Sequence, residues 1–282
     1  MHEIATVAEL RERVEAWLEA GDSIALVPTM GNLHKGHMSL VELAAQHAEH
    51  VIVSIFVNPT QFGPTEDFAE YPRTPVMDSR RLARAKVDVL FAPTVDDMYP
   101  GGTEFACKVI VPGLSDDLCG ARRQGHFAGV TSVVARLFNI CAPTVAVFGQ
   151  KDYQQLVLLR RMVRDLHMPV QILAGATQRA DSGLALSSRN SRLDDAEVAR
   201  AAAIYAALDR TRTALEEGAE DLDGLEQQAA AALEAAGLDT DYVAIRRAGD
   251  LGPAQSDTPR LVVLAAAWCA GVRLIDNVLV ER

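Results

Sequence analysis

The sequence predicts an α/β protein: a doubly wound parallel sheet followed by a smaller α+β domain. Three observations predict it. Short apolar runs at 24–27, 51–57, 87–91, 145–148 and 170–173 alternate with stretches of helical period, which implies crossover units and a parallel sheet. From about residue 194 to 238 the chain turns alanine-rich, acidic and helical. Three β-rich segments then close it, at 241–247, 260–268 and 272–280, and helices followed by strands fit a small antiparallel α+β unit. With 282 residues there is enough chain for one or two cores, and the change of character places the boundary so that 1–177 and 178–282 are the two domains.

The elements follow in order. Thr6 and Glu9 have capping-box spacing, Val7, Leu10, Val14, Trp17 and Leu18 share a helical face, and Gly21 is a natural stop. Ile24 to Val27 reads as a buried strand ended by Pro28, and helical patterning resumes after Gly36 with Met38, Leu40, Val41 and Ala44. The run Val51 to Val57 suits a parallel strand covered on both sides. A helix over 78–85, strands at 87–91 and 145–148, a helix over 153–166 and a strand at 170–173 complete the first domain. The segment 194–238 reads as two helices broken near Gly218 to Gly224.

Charge narrows the function. The formal net charge is −11, and a strongly acidic surface repels phosphate backbones, which argues against nucleic-acid binding. It leaves room for an anionic small ligand, because a few basic groups reverse the potential inside a cleft. The four cysteines share no CxxC spacing, which favours reduced thiols and a cytoplasmic setting over zinc or disulfides. The start of the chain, Met1-His2-Glu3-Ile4 running into an acidic helix, does not read as a signal peptide. The longest apolar stretch, 261–270, is about half of a membrane span and reads as a buried strand.

The sharpest motif is Pro28-Thr29-Met30-Gly31-Asn32-Leu33-His34-Lys35-Gly36-His37, between a strand and a helix. Ligands of doubly wound sheets bind outside the carboxyl ends of the strands, where free amides and the helix dipole favour phosphate. Two histidines three residues apart at a helix start face one side, and Gly36 between them lets a nucleotide lie close. A two-histidine metal site is the competing reading, and no third ligand is recognisable nearby. Gly149-Gln150-Lys151-Asp152 is a second strand end: Lys151 can neutralise a phosphate oxygen, and Asp152 reads either as a helix cap or as a nucleotide or metal contact. Leu186-Ser187-Ser188-Arg189 offers hydroxyls and a guanidinium for a triphosphate, or is a polar loop before a helix.

In this order the motifs resemble the nucleotidylyl-transferase superfamily with its His-x-Gly-His pattern, and within it the pantothenate synthetase (pantoate–β-alanine ligase) family. The resemblance rests on LVPTMGNLHKGH, VSIFVNPTQFGPTEDFAEYPRT, GHFAGVTSVVARLFN, FGQKDYQQL, LALSSRN and RLIDN, spread from residue 26 to 277. It implies a Rossmann-like catalytic domain that joins pantoate to β-alanine with ATP and Mg²⁺, through a pantoyl adenylate, releasing AMP and pyrophosphate. Met30, Gly31, Asn32, Leu33, His34, Lys35, Gly36 and His37 then contact ATP, with His37 in the general-acid position and His34 on the phosphates. Gly149, Gln150, Lys151, Asp152, Gln178 (through its backbone), Leu186, Ser187, Ser188 and Arg189 complete that set, Lys151 and Arg189 bearing on the phosphates. Gln61 and Gln155 match pantoate-binding glutamines, Gln61 also facing β-alanine, while Arg123 and His126 match groups near pantoate. The resemblance further implies a homodimer; no membrane or nucleic-acid partner is expected, and the metal's ligands are left open.

Three positions depart from the family pattern: Gln150 where it has Glu, Ser182 where it has Asp, and Gln124 where it has Pro. None touches His34, His37, Lys151 or Arg189, so the expectation is altered rates or affinities rather than a different reaction. The alternatives are another His-x-Gly-His nucleotidylyl transferase or an inactive nucleotide-binding homologue.

Overall fold

A computed structural model describes residues 1–64 and 66–282; Thr65, inside the segment that begins at Val53, lies outside the described residues. Contacts divide the chain into two compact units, Met1–Gln150 with Leu158–Ala176 and Lys151–Val157 with Thr177–Arg282. A single cut in the sequence gives no hint that Lys151–Val157 groups with the later residues.

The first unit holds strands β1 (His2–Ile4), β2 (Ile24–Thr29), β3 (His50–Ile55), β4 (Val89–Phe91), β5 (Val145–Gly149) and β6 (Gln171–Gly175). Its helices are α1 (Val7–Ala20), α2 (Lys35–Ala45), α3 (Pro75–Arg84), α4 (Val95–Met98), α5 (Cys119–Arg122), α6 (His126–Cys141) and α7 (Tyr153–Asp165), whose first residues fall in the second unit. The sheet is parallel with order β1-β4-β3-β2-β5-β6. The chain therefore runs outward from β2 through β3 to β4, then returns to place β5 on the other side of β2. That reversal is a topological switch point, where open α/β sheets bind ligands beyond the strand ends.

Local chemistry explains the elements. Thr6 caps α1 by accepting from the Glu9 amide, and Gly21 closes it in the left-handed region at φ 83°. Leu10 and Val14 are buried as the period requires, whereas Leu18 is 45% exposed and lies off the core face. One face of the sheet packs Ala25, Val27, Val51, Val53 and Val147 against Leu40, Val41 and Ala44 of α2 and Leu82 of α3. β1 and α6 escape the sequence reading. A three-residue edge strand has no period to detect, and α6 buries twelve of its sixteen residues, so it lacks the polar face that marks a surface helix.

The second unit sets α8 (Asp195–Ala201), α9 (Ala203–Glu216) and α10 (Leu222–Ala235) beside an antiparallel sheet of β7 (Asp239–Arg247), β8 (Arg260–Cys269) and β9 (Val272–Glu281). Three helices stand where the sequence predicts two, because the chain also breaks at Ala202; the break before Leu222 is found as expected. Leu208, Leu215 and Leu233 pack on Leu261, Val263, Leu274 and Val280 to form the core.

Candidate active site

The histidine motif forms the turn from β2 into α2. Gly31 has φ +83°, and a Cβ there would sit 3.0 Å from Ile55 Cγ2 and 3.3 Å from an Asp78 carboxylate oxygen, so only glycine fits. Thr29 donates its hydroxyl to the Ser54 carbonyl (2.8 Å) and accepts from the Gly31 amide (3.2 Å). Asp78, 1% exposed on α3, then takes the Asn32 amide on one oxygen and the Leu33 amide on the other, both at 2.8 Å. Arg81 completes the clasp by donating to the Leu33 carbonyl.

The two imidazoles cap α2 reciprocally. His34 Nδ1 accepts from the Gly36 amide (3.1 Å), His37 Nδ1 accepts from the His34 amide (3.2 Å), and the rings lie 4.1 Å apart. A capping box ordinarily pairs a hydroxyl with a carboxamide or carboxylate. Here the geometry assigns a tautomer: a nitrogen that accepts an amide hydrogen carries none, so each neutral ring holds its proton on Nε2. Two Nε2–H donors are thus set at a helix N-terminus, next to the switch point, which is an arrangement for binding phosphate. Lys35 is exposed on the same turn.

Gln61 closes the short helical turn Pro59–Gln61 and is nearly buried. Its Nε2 donates to Met30 Sδ at 2.8 Å, which brings the glutamine against the histidine turn. Asn58, 1% exposed, fixes the amide from the other side: its Nδ2 donates to Gln61 Oε1 and to the Gly129 carbonyl, both 3.2 Å, and its Oδ1 accepts from Tyr99 Oη at 2.8 Å. His126 Nδ1 meets the Gln61 carbonyl at 2.7 Å while its Nε2 meets Arg123 at 2.9 Å, so Nδ1 carries the proton here. Arg123 also grips both oxygens of Glu66, at 2.7 and 2.6 Å. Burial pushes the Glu66 carboxyl up, but the Arg123 hydrogen bond and charge outweigh it and hold it below the ordinary carboxylate value.

Gly149 ends β5 opposite Gly175 of β6. A Cβ on Gly175 would meet Leu40 Cδ2 at 2.1 Å, so that glycine lets α2 seat on these strands. Gln150 follows Gly149 and opens the turn Gln150–Asp152.

The remaining predicted residues belong to the second unit. The Lys151 carbonyl accepts from Asn277 Nδ2 at 2.8 Å, and Tyr153 Oη donates to the Ala248 carbonyl at 2.9 Å. Lys151, Asp152 and Gln155 are half-buried. Gln178 opens a narrow hairpin in which its carbonyl accepts from the Leu186 amide at 2.8 Å. Ser187 then caps the turn Ser188–Arg192 by accepting from the Arg189 amide at 3.3 Å, so its hydroxyl has a structural duty whatever else it binds. Ser182 is exposed on this hairpin and Gly183 turns it at φ +88°.

Within the first unit the structure brings together Met30 to His37, Gln61 and its supports, with Gly149 on the strand beside β2. Within the second it ties Lys151 and the 178–189 hairpin to consecutive residues of β9. Sequence reasoning missed Asn58, Asp78, Arg179, Asp276 and Asn277. Asp78 carried a signal, an acid one turn before buried Leu82 on the same helical face. Asp276 carried another, a carboxylate breaking the apolar alternation of Val272, Leu274, Val278 and Val280, and Asn277 beside it is a second buried polar residue of the strand.

A family model described as pantoate-β-alanine ligase matches residues 2–279. A pantothenate synthetase of Stutzerimonas stutzeri is 51% identical over 281 residues, covering 100% of this chain and 98% of the relative. The crystal structure of pantothenate synthetase from Thermus thermophilus superposes with a TM-score of 0.92 at 43% identity, covering 99% of each chain. A pantoate-β-alanine ligase from Francisella tularensis, complexed with β-γ ATP and β-alanine, superposes at 0.83 with 33% identity, covering 99% of this chain and 97% of that one.

Proposed function

Given that this chain belongs to the pantoate–β-alanine ligase family and joins pantoate to β-alanine, we propose that it does so through a pantoyl adenylate made from ATP. The observation that carries this reading is the imidazole capping box, with both rings committed through Nδ1 and both ring protons held on Nε2. A carboxylate is a poor acylating agent because oxide would have to leave. When a pantoate carboxylate oxygen attacks the α-phosphorus, the bond to pyrophosphate breaks and its electron pair departs with pyrophosphate. The β-alanine amine then attacks the acyl carbon, loses a proton and expels AMP. The protein's task is to stabilise charge developing on phosphate oxygens, which oriented neutral donors do without reorganising.

His37 and His34 serve the phosphates, with the backbone of Met30 to Gly36 around the nucleotide, and Lys151 and Arg189 neutralise the triphosphate. Gly149, Gln150, Asp152, Gln178, Leu186, Ser187 and Ser188 complete the nucleotide contacts. Gln61 donates and accepts toward pantoate and then faces β-alanine, supported by Asn58. Gln155 is the second pantoate amide. Arg123 contributes charge behind Gln61 rather than a direct grip, since Glu66 and His126 already engage its guanidinium. Magnesium fits as the counter-ion of ATP: among the described residues no three His, Cys, Asp or Glu side chains converge, and Mg²⁺ is ordinarily held by substrate phosphates with one or two carboxylates. Asp152 is the carboxylate of the lysine turn.

The working species is a homodimer in the cytoplasm. The segment 104–110 supports the first part, with Phe105 85% and Ile110 59% exposed, and the free thiols support the second. Light scattering that finds a monomer at every concentration would remove the dimer.

The test of the adenylate uses pantoate labelled with ¹⁸O in its carboxylate, Mg-ATP and β-alanine. One label recovered in AMP, together with pantothenate and pyrophosphate, is the expected result. ADP with labelled inorganic phosphate would replace the adenylate by an acyl phosphate.

A further inference from the structure

The sequence motif Arg273-Leu274-Ile275-Asp276-Asn277 has no part in the reading above, yet its last two residues are the most deeply buried polar pair of the second unit's sheet, at 4% and 1% exposure. Burying a carboxylate and an amide inside an apolar strand is costly unless both are hydrogen-bonded. Asp276 accepts on both oxygens and Asn277 donates through Nδ2, and the partners belong to the loops that carry Lys151 and Arg189.

Adjacent strand residues point to opposite faces. Asp276 shares its face with Leu274 and Val278, both in the core against the helices. There its two oxygens accept from Arg179, at 2.5 and 3.0 Å. Arg179 in turn lies 3.9 Å from the ring of Tyr205 on α9 and donates to the Gly183 carbonyl at the tip of the hairpin, 3.1 Å away, and to the Asn277 carbonyl at 3.3 Å. This hairpin leads directly into Ser187, Ser188 and Arg189, and its ladder, Leu186 amide to Gln178 carbonyl, fixes where they start. Asn277 points the other way and donates Nδ2 to the Lys151 carbonyl at 2.8 Å. Its own amide donates to Asp276 Oδ1 at 2.8 Å, which links the two side chains in one network.

We propose that Asp276 and Asn277 are positioning residues for the triphosphate: one step of β9 holds the lysine turn through Asn277 and the Ser-Ser-Arg hairpin through Asp276 and Arg179. This rests on the reading of Lys151 and Arg189 as phosphate-binding groups. Two short loops distant in sequence need a common reference if their cations are to meet one ligand, and a misplacement of about 1 Å can cost roughly 100-fold in rate. A stiff, buried strand supplies that reference better than either loop can by itself.

The experiment is a pair of double-mutant cycles, read as kcat/KM for ATP and KM for pantoate in steady-state pyrophosphate release. Asn277→Ala is expected to lower kcat/KM for ATP by roughly 10- to 100-fold, with KM for pantoate changed less than about twofold. Added to Lys151→Ala, it should cost nothing further, because the group it positions is gone. Asp276→Asn should behave likewise and fall silent on an Arg189→Ala background. Should either variant lose its cooperative melt, Asn277→Ser and Arg179→Lys are read in the same cycles. Losses that multiply in the double variants, or equal damage to pantoate and ATP, would overturn the proposal while leaving the roles of Lys151 and Arg189 standing. A Lys151→Ala enzyme with unchanged ATP use would overturn the lysine's own role, and the proposal with it.

Discussion

The two sets of residues proposed to face phosphate are built in opposite ways. The histidine turn is largely self-contained: His34 and His37 cap the same helix, Gly31 bends the chain, and one distant carboxylate, Asp78, holds two neighbouring amides. The lysine turn and the Ser-Ser-Arg hairpin are held from far along the chain, Lys151 by a residue 126 positions away and Arg179 by one 97 positions away. The difference teaches where precision is stored. In the first set it lies in local backbone geometry, and in the second it lies in a buried strand to which loops are attached.

The largest effect that can break this comparison is at His37. His37→Ala removes both an Nε2–H donor and the acceptor of the His34 amide, and kcat is expected to fall roughly 10²- to 10³-fold, the usual cost of losing one preorganised donor. Stopped assays of pyrophosphate release read it directly; turnover near the wild-type value would detach the imidazole pair from the chemistry.

Lys151→Ala comes next. A charge-assisted hydrogen bond contributes about 1.5–3 kcal/mol, so kcat/KM for ATP should drop by roughly 10- to 100-fold. The side chain is only half-buried, on a short turn, so the melting temperature should barely move. A large fall in melting temperature with ATP use preserved would make Lys151 a structural residue.

Asp78→Asn sharpens the contrast from the other side. The carboxamide keeps the shape but turns one acceptor into a donor, so either the Asn32 or the Leu33 amide loses its partner. An unsatisfied buried amide costs about 1–3 kcal/mol of stability. A drop in kcat of roughly tenfold, equivalent to about 1.4 kcal/mol, is expected as the turn loosens. Unchanged kcat with lowered stability would mean that the imidazole box sets the turn alone.

This contrast also decides what was legible in the sequence. The parallel sheet, the antiparallel second sheet and the histidine motif could be read because their causes are local: apolar period, turn residues, and two histidines around a glycine at a helix start. Lys151 could be read from its strand end only as one of two options, and Gln61 could be named only by family resemblance, since a glutamine in a loop after a strand looks in sequence like any other polar loop residue. Asp78 and Asp276 showed as polar breaks in apolar patterns, but their partners were unreadable because a contact across tens of residues leaves no period. α6 stayed hidden because a helix covered on all sides shows the same apolar continuity as a strand.

The smallest effect probes a third kind of support, the pair between Arg123 and Glu66. Both side chains are partly exposed, at 17% and 24%, so screening limits the pair to about 1 kcal/mol, or roughly fivefold in KM for pantoate on Glu66→Gln. The pH dependence has a definite sign. Burial raises the Glu66 pKa, the Arg123 hydrogen bond and charge lower it further, and the net value sits below the ordinary 4.5. A depressed carboxylate contributes its stability above 4.5 and loses it as pH falls through the lower folded value. The pair is therefore intact throughout the neutral range, and KM for pantoate should be flat there in the wild type. Thermal melts followed down into the acid range should show the wild type losing stability more steeply than Glu66→Gln, which has no carboxylate to protonate at this position. Parallel acid limbs for the two proteins would show that Arg123 keeps its place through His126 and the Gln61 carbonyl without the carboxylate.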